Sequence, residues 1–252
     1  MGKYLKKFET QSAYEAAQSS LILPNVSLTV DNNTVHYNPN SPTPPTPTHD
    51  YVEIGGVKWA TMNIGANSVT DGGLYFAWAE TSGYTAAQVG TDKNFEESDN
   101  KYYDNGYYTK YNNNDGLITL QSGDDAVTAA WGGSWRTPTT SEWQALGDSV
   151  NAAWTSDYQG SGVSGLVCTD KTDSSKVLFF PAVGDAEYGT VYGDVEYGYG
   201  SGNYWSNSLN LDSEYSDSAY GMYFTNSEYD AVSWNTWIYR CYGASVRGIL
   251  DE

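Results

Sequence analysis

The sequence predicts an α+β fold of mostly antiparallel strands and long loops with one or two helices, preceded by a small helix-plus-hairpin unit. The 252 residues include 23 tyrosines, 9 tryptophans and 26 glycines, and only 17% are charged. Such a composition is typical of aromatic strands joined by polar loops. Beyond residue 20, firm helix signals occur at 139–146.

Composition and charge exclude several classes of partner. With 39% apolar residues the chain can bury a full core. The net charge of −19 repels phosphate backbones and anionic lipids, so we expect neither nucleic-acid binding nor membrane insertion. No apolar run is long enough to span a bilayer, and the basic residues 1–8 are not followed by a signal-peptide core. The expected partner is neutral or cationic.

Residues 1–40 are predicted to form a separate attachment or oligomerisation unit. Thr10 or Ser12 can cap a helix through 13–18, and segments 25–30 and 34–37 alternate like the strands of a hairpin. Because an isolated hairpin is marginal in water, we expect it to contact another copy of itself or a larger assembly. A homo-oligomer, specifically a trimer, is expected. The alternative is a leader that merely precedes the large domain.

Residues 41–50 are rich in proline and predict a semi-rigid, extended spacer. The large domain then covers 51–252. It opens with two alternating strands at 51–66 around the turn Gly55-Gly56. An aromatic strand is predicted at 72–80, polar loops at 81–125, and a buried strand at 177–184 that Pro181 stops.

The helix at 139–146 carries a capping box. The Thr139 hydroxyl can accept from the Glu142 amide, while the Glu142 carboxylate accepts from the Thr139 amide. Trp143 and Leu146 fall on one helical face. We expect four tryptophans to be buried around this helix: Trp59, Trp78, Trp135 and Trp143.

Cysteines and acidic pairs give weak signals. Cys168 and Cys241 are too sparse for a disulfide framework or a zinc site, and we expect two inert thiols, with a bridge between them as the alternative. The pairs Asp124-Asp125 and Glu96-Glu97 are expected to be solvated loop charges, with a structural calcium site as the alternative. No other cofactor is expected.

A series of motifs occurs in order along the large domain. They lie at 56–65, 75–80, 135–139, 180–182, 204–206 and 245–247. Together these motifs resemble the major paralogous domain of Fibrobacter and Bacteroides-type bacteria. The set Arg136, Pro138, Thr139, Glu142 and Trp143 is similar to the formylglycine-generating-enzyme branch of the C-type lectin fold. The resemblance implies a C-type-lectin-like domain over about residues 51–250.

The resemblance allows either an enzyme or a ligand-display protein. The enzyme branch uses a close pair of cysteines, and that pair is missing here. The histidines are His36, in the predicted hairpin, and His49, in the predicted spacer, which leaves the large domain without a histidine base. We therefore expect no enzyme, and a formylglycine-generating-type activity stays a remote alternative.

The C-terminal segment favours display. In residues 203–242 about half of the positions are Tyr, Asn, Ser or Asp, the residue types of adaptable binding surfaces. The segment also resembles the variable region of proteins diversified by retroelements, in which mutation of template adenines scatters Asn codons to Tyr, Ser, Asp and others. The alternative is an ordinary solvent-facing antiparallel sheet.

This resemblance sorts the segment into two classes of residue. Residues unreachable from Asn codons are expected to be fixed or scaffold positions: Trp205, Glu214, Met222, Glu228, Trp234 and Trp237. The reachable polar residues are expected to form an exposed ligand-binding face: Asn207, Ser208, Asn210, Tyr215, Asp217, Tyr220, Tyr223, Tyr229, Asn235, Tyr239 and Tyr242. Phe224 and Val232 between them are expected to point to the core.

Residues 23–39 resemble the leader of virion proteins from phages of gut Bacteroides. This implies a virion protein of a fibre, tail or head decoration that binds a host-surface protein or glycan and attaches through residues 1–40 to a virion component or to itself. The competing class is a bacterial cell-surface binding protein of the major paralogous domain family.

Overall fold

The computed structural model describes the following stretches of the chain: residues 27–31, 34–38, 49–193, 200–212, 216–227 and 232–251. The chain divides into two compact units, Met1–Thr48 and His49–Glu252. The helix predicted at 13–18 and most of the predicted spacer lie outside the described residues. His49, which the composition placed in the spacer, belongs to the large unit. Its ring stacks on Trp131 with 4.0 Å between the centroids.

The N-terminal unit contains the predicted hairpin. Strands β1 (Ser27–Asp31) and β2 (Thr34–Asn38) pair antiparallel, with Val30 opposite Val35. The sequence alternation therefore located both strands to within two residues at each end. Whether they contact another copy or an assembly stays a prediction.

The large unit is built mostly of antiparallel strands in several sheets, with two α-helices among its described residues. Its strands are β3 (Tyr51–Ile54), β4 (Val57–Asn63), β5 (Tyr103–Asp104), β6 (Tyr107–Tyr108), β7 (Trp135–Arg136), β8 (Val150–Thr155), β9 (Gly165–Asp170), β10 (Val177–Pro181), β11 (Asp185–Glu187), β12 (Thr190–Tyr192), β13 (Ser201–Leu209), β14 (Ser218–Thr225), β15 (Val232–Tyr239) and β16 (Arg247–Leu250). Its helices are α1 (Ala126–Trp131) and α2 (Thr140–Ser149). This is the coarse α+β composition that the sequence predicted.

Three sheets carry most of these strands. Their strand orders are β3-β4-β16-β7, β10-β9-β8 and β13-β14-β15. The first joins the beginning of the large unit to its end, because β16 pairs with β4. Gly55 and Gly56 connect β3 to β4 with φ of +61° and +78°, so the predicted glycine turn is confirmed. Strand β10 ends at Pro181, also as predicted.

The predicted aromatic strand at 72–80 is wrong. Tyr75 and Phe76 make only single bridges, to Tyr84 and to Ala244. Ala79 then has a φ of +68°, in the left-handed region, which ends any extended run. The segment is an irregular part of the core.

Helix α2 begins as predicted. The Thr139 hydroxyl accepts from the Glu142 amide over 3.1 Å, and the Glu142 carboxylate accepts from the Thr139 amide over 2.7 Å. Trp143 and Leu146 are the buried residues of the helix. Gly147 faces β15 so closely that an added Cβ would come within 2.6 Å of the Trp234 indole. Because Gly147 has no side chain, α2 can pack directly on β15.

The predicted tryptophans are buried, but in two clusters. Trp59 and Trp143 contact each other in the cluster beside α2, with ring centroids 4.8 Å apart. Trp78 and Trp135 lie in a second cluster with α1. The predicted burial is confirmed for all four, and the single central cluster is corrected to two.

Three of the motifs that carry the resemblance meet in the core. The Arg247 guanidinium on β16 donates to Asn63 on β4 and to the Phe179 carbonyl on β10. Asn63 also donates to the Tyr204 hydroxyl on β13. Motifs far apart in the sequence therefore form one buried hydrogen-bonding network.

Candidate ligand-binding face

The outer surface of strands β14 and β15 is the candidate site. In β15, Asn235, Trp237 and Tyr239 are exposed, whereas Ile238 is buried. Trp234 is partly buried and packs against the core. This is the alternation expected of a strand with one face in solvent. The outward residues of β15 can therefore contact a ligand while the inward ones hold the sheet on α2.

Register places Tyr220 of β14, which is partly exposed, beside the outward residues of β15. Tyr220 lies opposite Trp237, and Ser218 lies opposite Tyr239. The rings of Trp237 and Tyr239 form an edge-to-face pair with centroids 5.4 Å apart. A bulge between Gly221 and Tyr223 then shifts the register. Tyr220, Trp237 and Tyr239 all lie in the regularly paired part of the two strands, so backbone pairing fixes the positions of their side chains.

These strands border an open depression of about 430 Å³. Four of its lining residues belong to the predicted set: Asn210, Asp217, Tyr220 and Tyr239. Three others were not predicted: Asp212, Ser218 and Trp237. The Tyr220 hydroxyl lies 3.3 Å from the Asp212 carboxylate. Burial, followed by the charge of Asp212, raises the pKa of Tyr220, which keeps its phenol protonated at neutral pH.

A row of aromatic rings continues from the depression along the surface. Tyr239 contacts Tyr242 with centroids 5.3 Å apart, and Tyr242 contacts Tyr188 at 6.0 Å. Tyr188 is 57% exposed and comes from the loop before β12. Burial, followed by a hydrogen bond to Glu187, raises the pKa of Tyr242. The sequence predicted Tyr239 and Tyr242 as members of the ligand-binding face, but no sequence pattern indicated Tyr188.

The predicted exposure is wrong for two asparagines. Asn207 is 6% exposed, and Asn210 is 7% exposed. The Asn207 backbone bonds to Pro138 and Leu120, so neighbouring loops cover it. Asn210 donates from its side chain to Ser218 Oγ over 3.0 Å, which fixes it at the wall of the depression. Only a small part of Asn210 can therefore face a ligand.

The other predicted residues are distributed as follows. Ser208 lies on β13, and its hydroxyl accepts from the Thr140 amide at the start of α2. Tyr223 is partly exposed, farther along β14. Tyr215 and Tyr229 lie outside the described residues. The predicted set is therefore not one contiguous face.

The described residues that were expected to be fixed or scaffold positions differ in burial. Trp205 and Met222 are buried, and Phe224 and Val232 contribute to the core as expected. Trp237 is 56% exposed, so it is not a core residue, and its being a fixed position stays a prediction. Simple alternation with Asn235 and Tyr239 would have identified it as outward-facing. Glu214 and Glu228 lie outside the described residues.

The acidic pair Asp124-Asp125 is structural, which corrects the expectation of solvated loop charges. Asp125 is 2% exposed and accepts from the Val127 and Thr128 amides as the N-cap of α1. Asp124 is 4% exposed and accepts from Lys101, Lys110, Tyr102 and Tyr111. Burial opposes the Asp124 charge, but these hydrogen bonds together lower its pKa well below the ordinary value.

Cys168 and Cys241 are free and buried, and burial raises the pKa of both thiols. Within the described ranges, no group of three or more His, Cys, Asp or Glu residues is placed to hold a metal ion. No helix in that same part of the chain has the length and apolar character needed to cross a membrane.

The chain was compared with family models, with curated proteins and with solved structures, and none of them matches it.

Proposed function

We propose that this protein is a non-enzymatic ligand-display protein that binds a host-surface ligand through the outer face of β14 and β15. The observation that carries the proposal is the grouping of Tyr220, Trp237 and Tyr239 around one depression on a paired sheet. Tyrosine and tryptophan bring a large contact area at low cost in conformational entropy. Trp237 and Tyr239 are 56% and 38% exposed, so both rings are accessible to a ligand.

The same face suits a diversified segment. Its outward positions, such as Asn235 and Tyr239, are separated by inward positions, such as Trp234 and Ile238, that contact the core. Substitution of outward residues would leave the inward ones undisturbed. This separation supports a variable region within β14 and β15.

A C-type-lectin-like fold of the major paralogous domain type is proposed for the large unit. Support comes from the motifs of the resemblance, since Asn63, Tyr204 and Arg247 contact one another directly or through one shared partner. The resemblance of residues 23–39 further supports a virion location, with residues 1–40 binding a virion component or another copy.

The proposal is tested by the binding of labelled full-length protein to intact Bacteroides cells. Saturable binding is expected, and Trp237→Ala combined with Tyr239→Ala should abolish it. Tyr51→Ala is the matched control, because Tyr51 is 48% exposed on β3, in a different sheet. Equal binding by the double variant and the control would refute the assigned face.

Genomic context and population sequencing separate the two classes of display protein. Capsid and reverse-transcriptase genes beside this one are expected for a diversified virion protein, whereas genes for polysaccharide use would indicate a bacterial cell-surface protein. Within natural populations, substitutions should concentrate at outward positions such as Tyr220 and Tyr239 and avoid Trp205. An even spread of substitutions over the large unit would contradict diversification.

A further inference from the structure

The charge around the depression is strongly one-sided. Among the described residues that line it, Asp212 and Asp217 are acidic and none is lysine or arginine. Residues 203–242 contain five acidic residues and a single basic one, Arg240. The whole chain carries a net charge of −19. The acidic residues at the depression and the net charge of the whole chain therefore both attract cations.

The positive charge of Arg240 does not offset the acidic residues at the surface of the depression. It is fully buried and donates to the carbonyls of Tyr111, Ser216 and Lys110. Its guanidinium lies 3.9 Å from the centroid of the Tyr108 ring. The Asp217 carboxylate interacts electrostatically with Arg240, whereas Asp212 is exposed and contacts the Tyr220 hydroxyl. Asp212 is therefore the carboxylate best placed to meet a ligand.

Aromatic rings complete the depression. The face of an indole attracts a cation, and a planar guanidinium also stacks on it while donating hydrogen bonds to a carboxylate. Trp237, Tyr239 and Tyr220 supply the rings, and Asp212 supplies the acceptor. The volume of about 430 Å³ lies within the usual range for small-ligand sites.

We propose that this depression binds a positively charged side chain, arginine or lysine, presented by a protein partner. The inference rests on the proposed function and narrows it, because it selects a cationic protein surface over a neutral glycan. Aromatic rings orient the cationic group, and Asp212 pairs with its charge.

The test is an NMR titration of full-length protein with the Nα-acetyl amides of arginine, lysine and citrulline. Citrulline is the control, since it has the shape of arginine without the charge. Arginine and lysine are expected to shift the Trp237 indole N–H saturably, with citrulline about threefold to tenfold weaker. Citrulline binding as tightly as arginine, or no shift with either cation, would overturn the proposal.

Two substitutions test whether the charge of Asp212 contributes to arginine binding. Asp212→Asn should weaken arginine binding and leave citrulline binding unchanged, whereas Asp173→Asn, at an exposed loop aspartate, should change neither. An Asp212→Asn protein that binds arginine normally would contradict the assigned pairing.

The cell-binding assay distinguishes this inference from the broader function. If the Trp237 and Tyr239 variant loses cell binding but Asp212→Asn retains it and arginine amide does not compete, the display function stands and the cationic ligand is wrong. If the wild-type protein binds no cells while the titration succeeds, the display function fails and the cation site stands.

Discussion

The Arg247 guanidinium donates from Nε to Asn63 Oδ1 over 2.8 Å, although the two residues are 184 positions apart. Arg247 also donates to the carbonyls of Ala60 and Phe179, and its side chain is fully buried. Burial lowers the pKa of Arg247 to about 10, which leaves it charged at neutral pH. One side chain therefore links β16 to β4 and β10.

Arg247→Met should destabilise the large unit by at least about 3 kcal/mol, because it removes the donors of three buried acceptors. Arg247→Lys should recover only part of this, since an ammonium cannot reproduce the forked geometry. Chemical denaturation followed by tryptophan fluorescence measures both. A methionine variant as stable as the wild type would mean that the network contributes nothing.

Trp143→Ala should cost about 3 to 5 kcal/mol of unfolding free energy, because it empties a large site in the core. Trp143 is fully buried, and its indole N–H donates to the Trp205 carbonyl. The matched control is Trp237→Ala, which removes the same side chain from the surface and should leave the melting temperature nearly unchanged. Equal destabilisation by both substitutions would contradict the assigned burial.

Asp125→Ala should destabilise the protein by about 2 to 4 kcal/mol, because helix α1 loses its cap and buried donors lose their acceptor. The Asp125 carboxylate also accepts from the backbone and hydroxyl of Thr137, which connects α1 to the chain before α2. Asp173→Ala removes an exposed loop carboxylate and should have little effect. Thermal melts of both variants measure this difference. Similar losses of stability in the two variants would refute a special role for Asp125.

Asp185 should make stability decrease as pH rises. Burial, followed by the negative charge of Glu187, raises the pKa of Asp185 from 3.8 to about 7. The folded protein therefore binds this proton more tightly than the unfolded chain, so the contribution of Asp185 to stability is fully present below pH 3.8 and is lost as pH rises to about 7. Asp124 and Glu142 have lowered pKa values and titrate in a more acidic range.

Asp185→Asn tests this directly. The wild-type melting temperature should fall relative to that of the variant between about pH 4 and 7, because the amide cannot ionise. Parallel curves for the two proteins across this range would show that Asp185 has no raised pKa.

Removal of residues 1–48 should convert the protein from an oligomer, expected to be a trimer, to a monomer. The shortened chain should begin at His49, because that ring stacks on Trp131 and belongs to the large unit. Light scattering on both proteins gives their masses. Monomer masses for both, with no binding of residues 1–48 to any virion component, would contradict an attachment role.

The sequence by itself determined the elements whose signals are local. The capping box at Thr139 and Glu142 spans three residues, the turn at Gly55 and Gly56 needs a left-handed backbone, and Pro181 cannot continue a paired strand. Large apolar residues such as Trp59 and Trp143 were also identified as core, because their burial is favourable in any compact arrangement.

Tertiary structure alone decided the features that depend on distant partners. Asp125 caps a helix and binds Thr137, so its burial depends on groups that no local pattern reveals. Asn207 is covered by loops from two other parts of the chain, and Tyr188 reaches Tyr242 only after β11 and β12 fold back. A polar or aromatic side chain can be stable in the core or in solvent, and only its packing partners determine which.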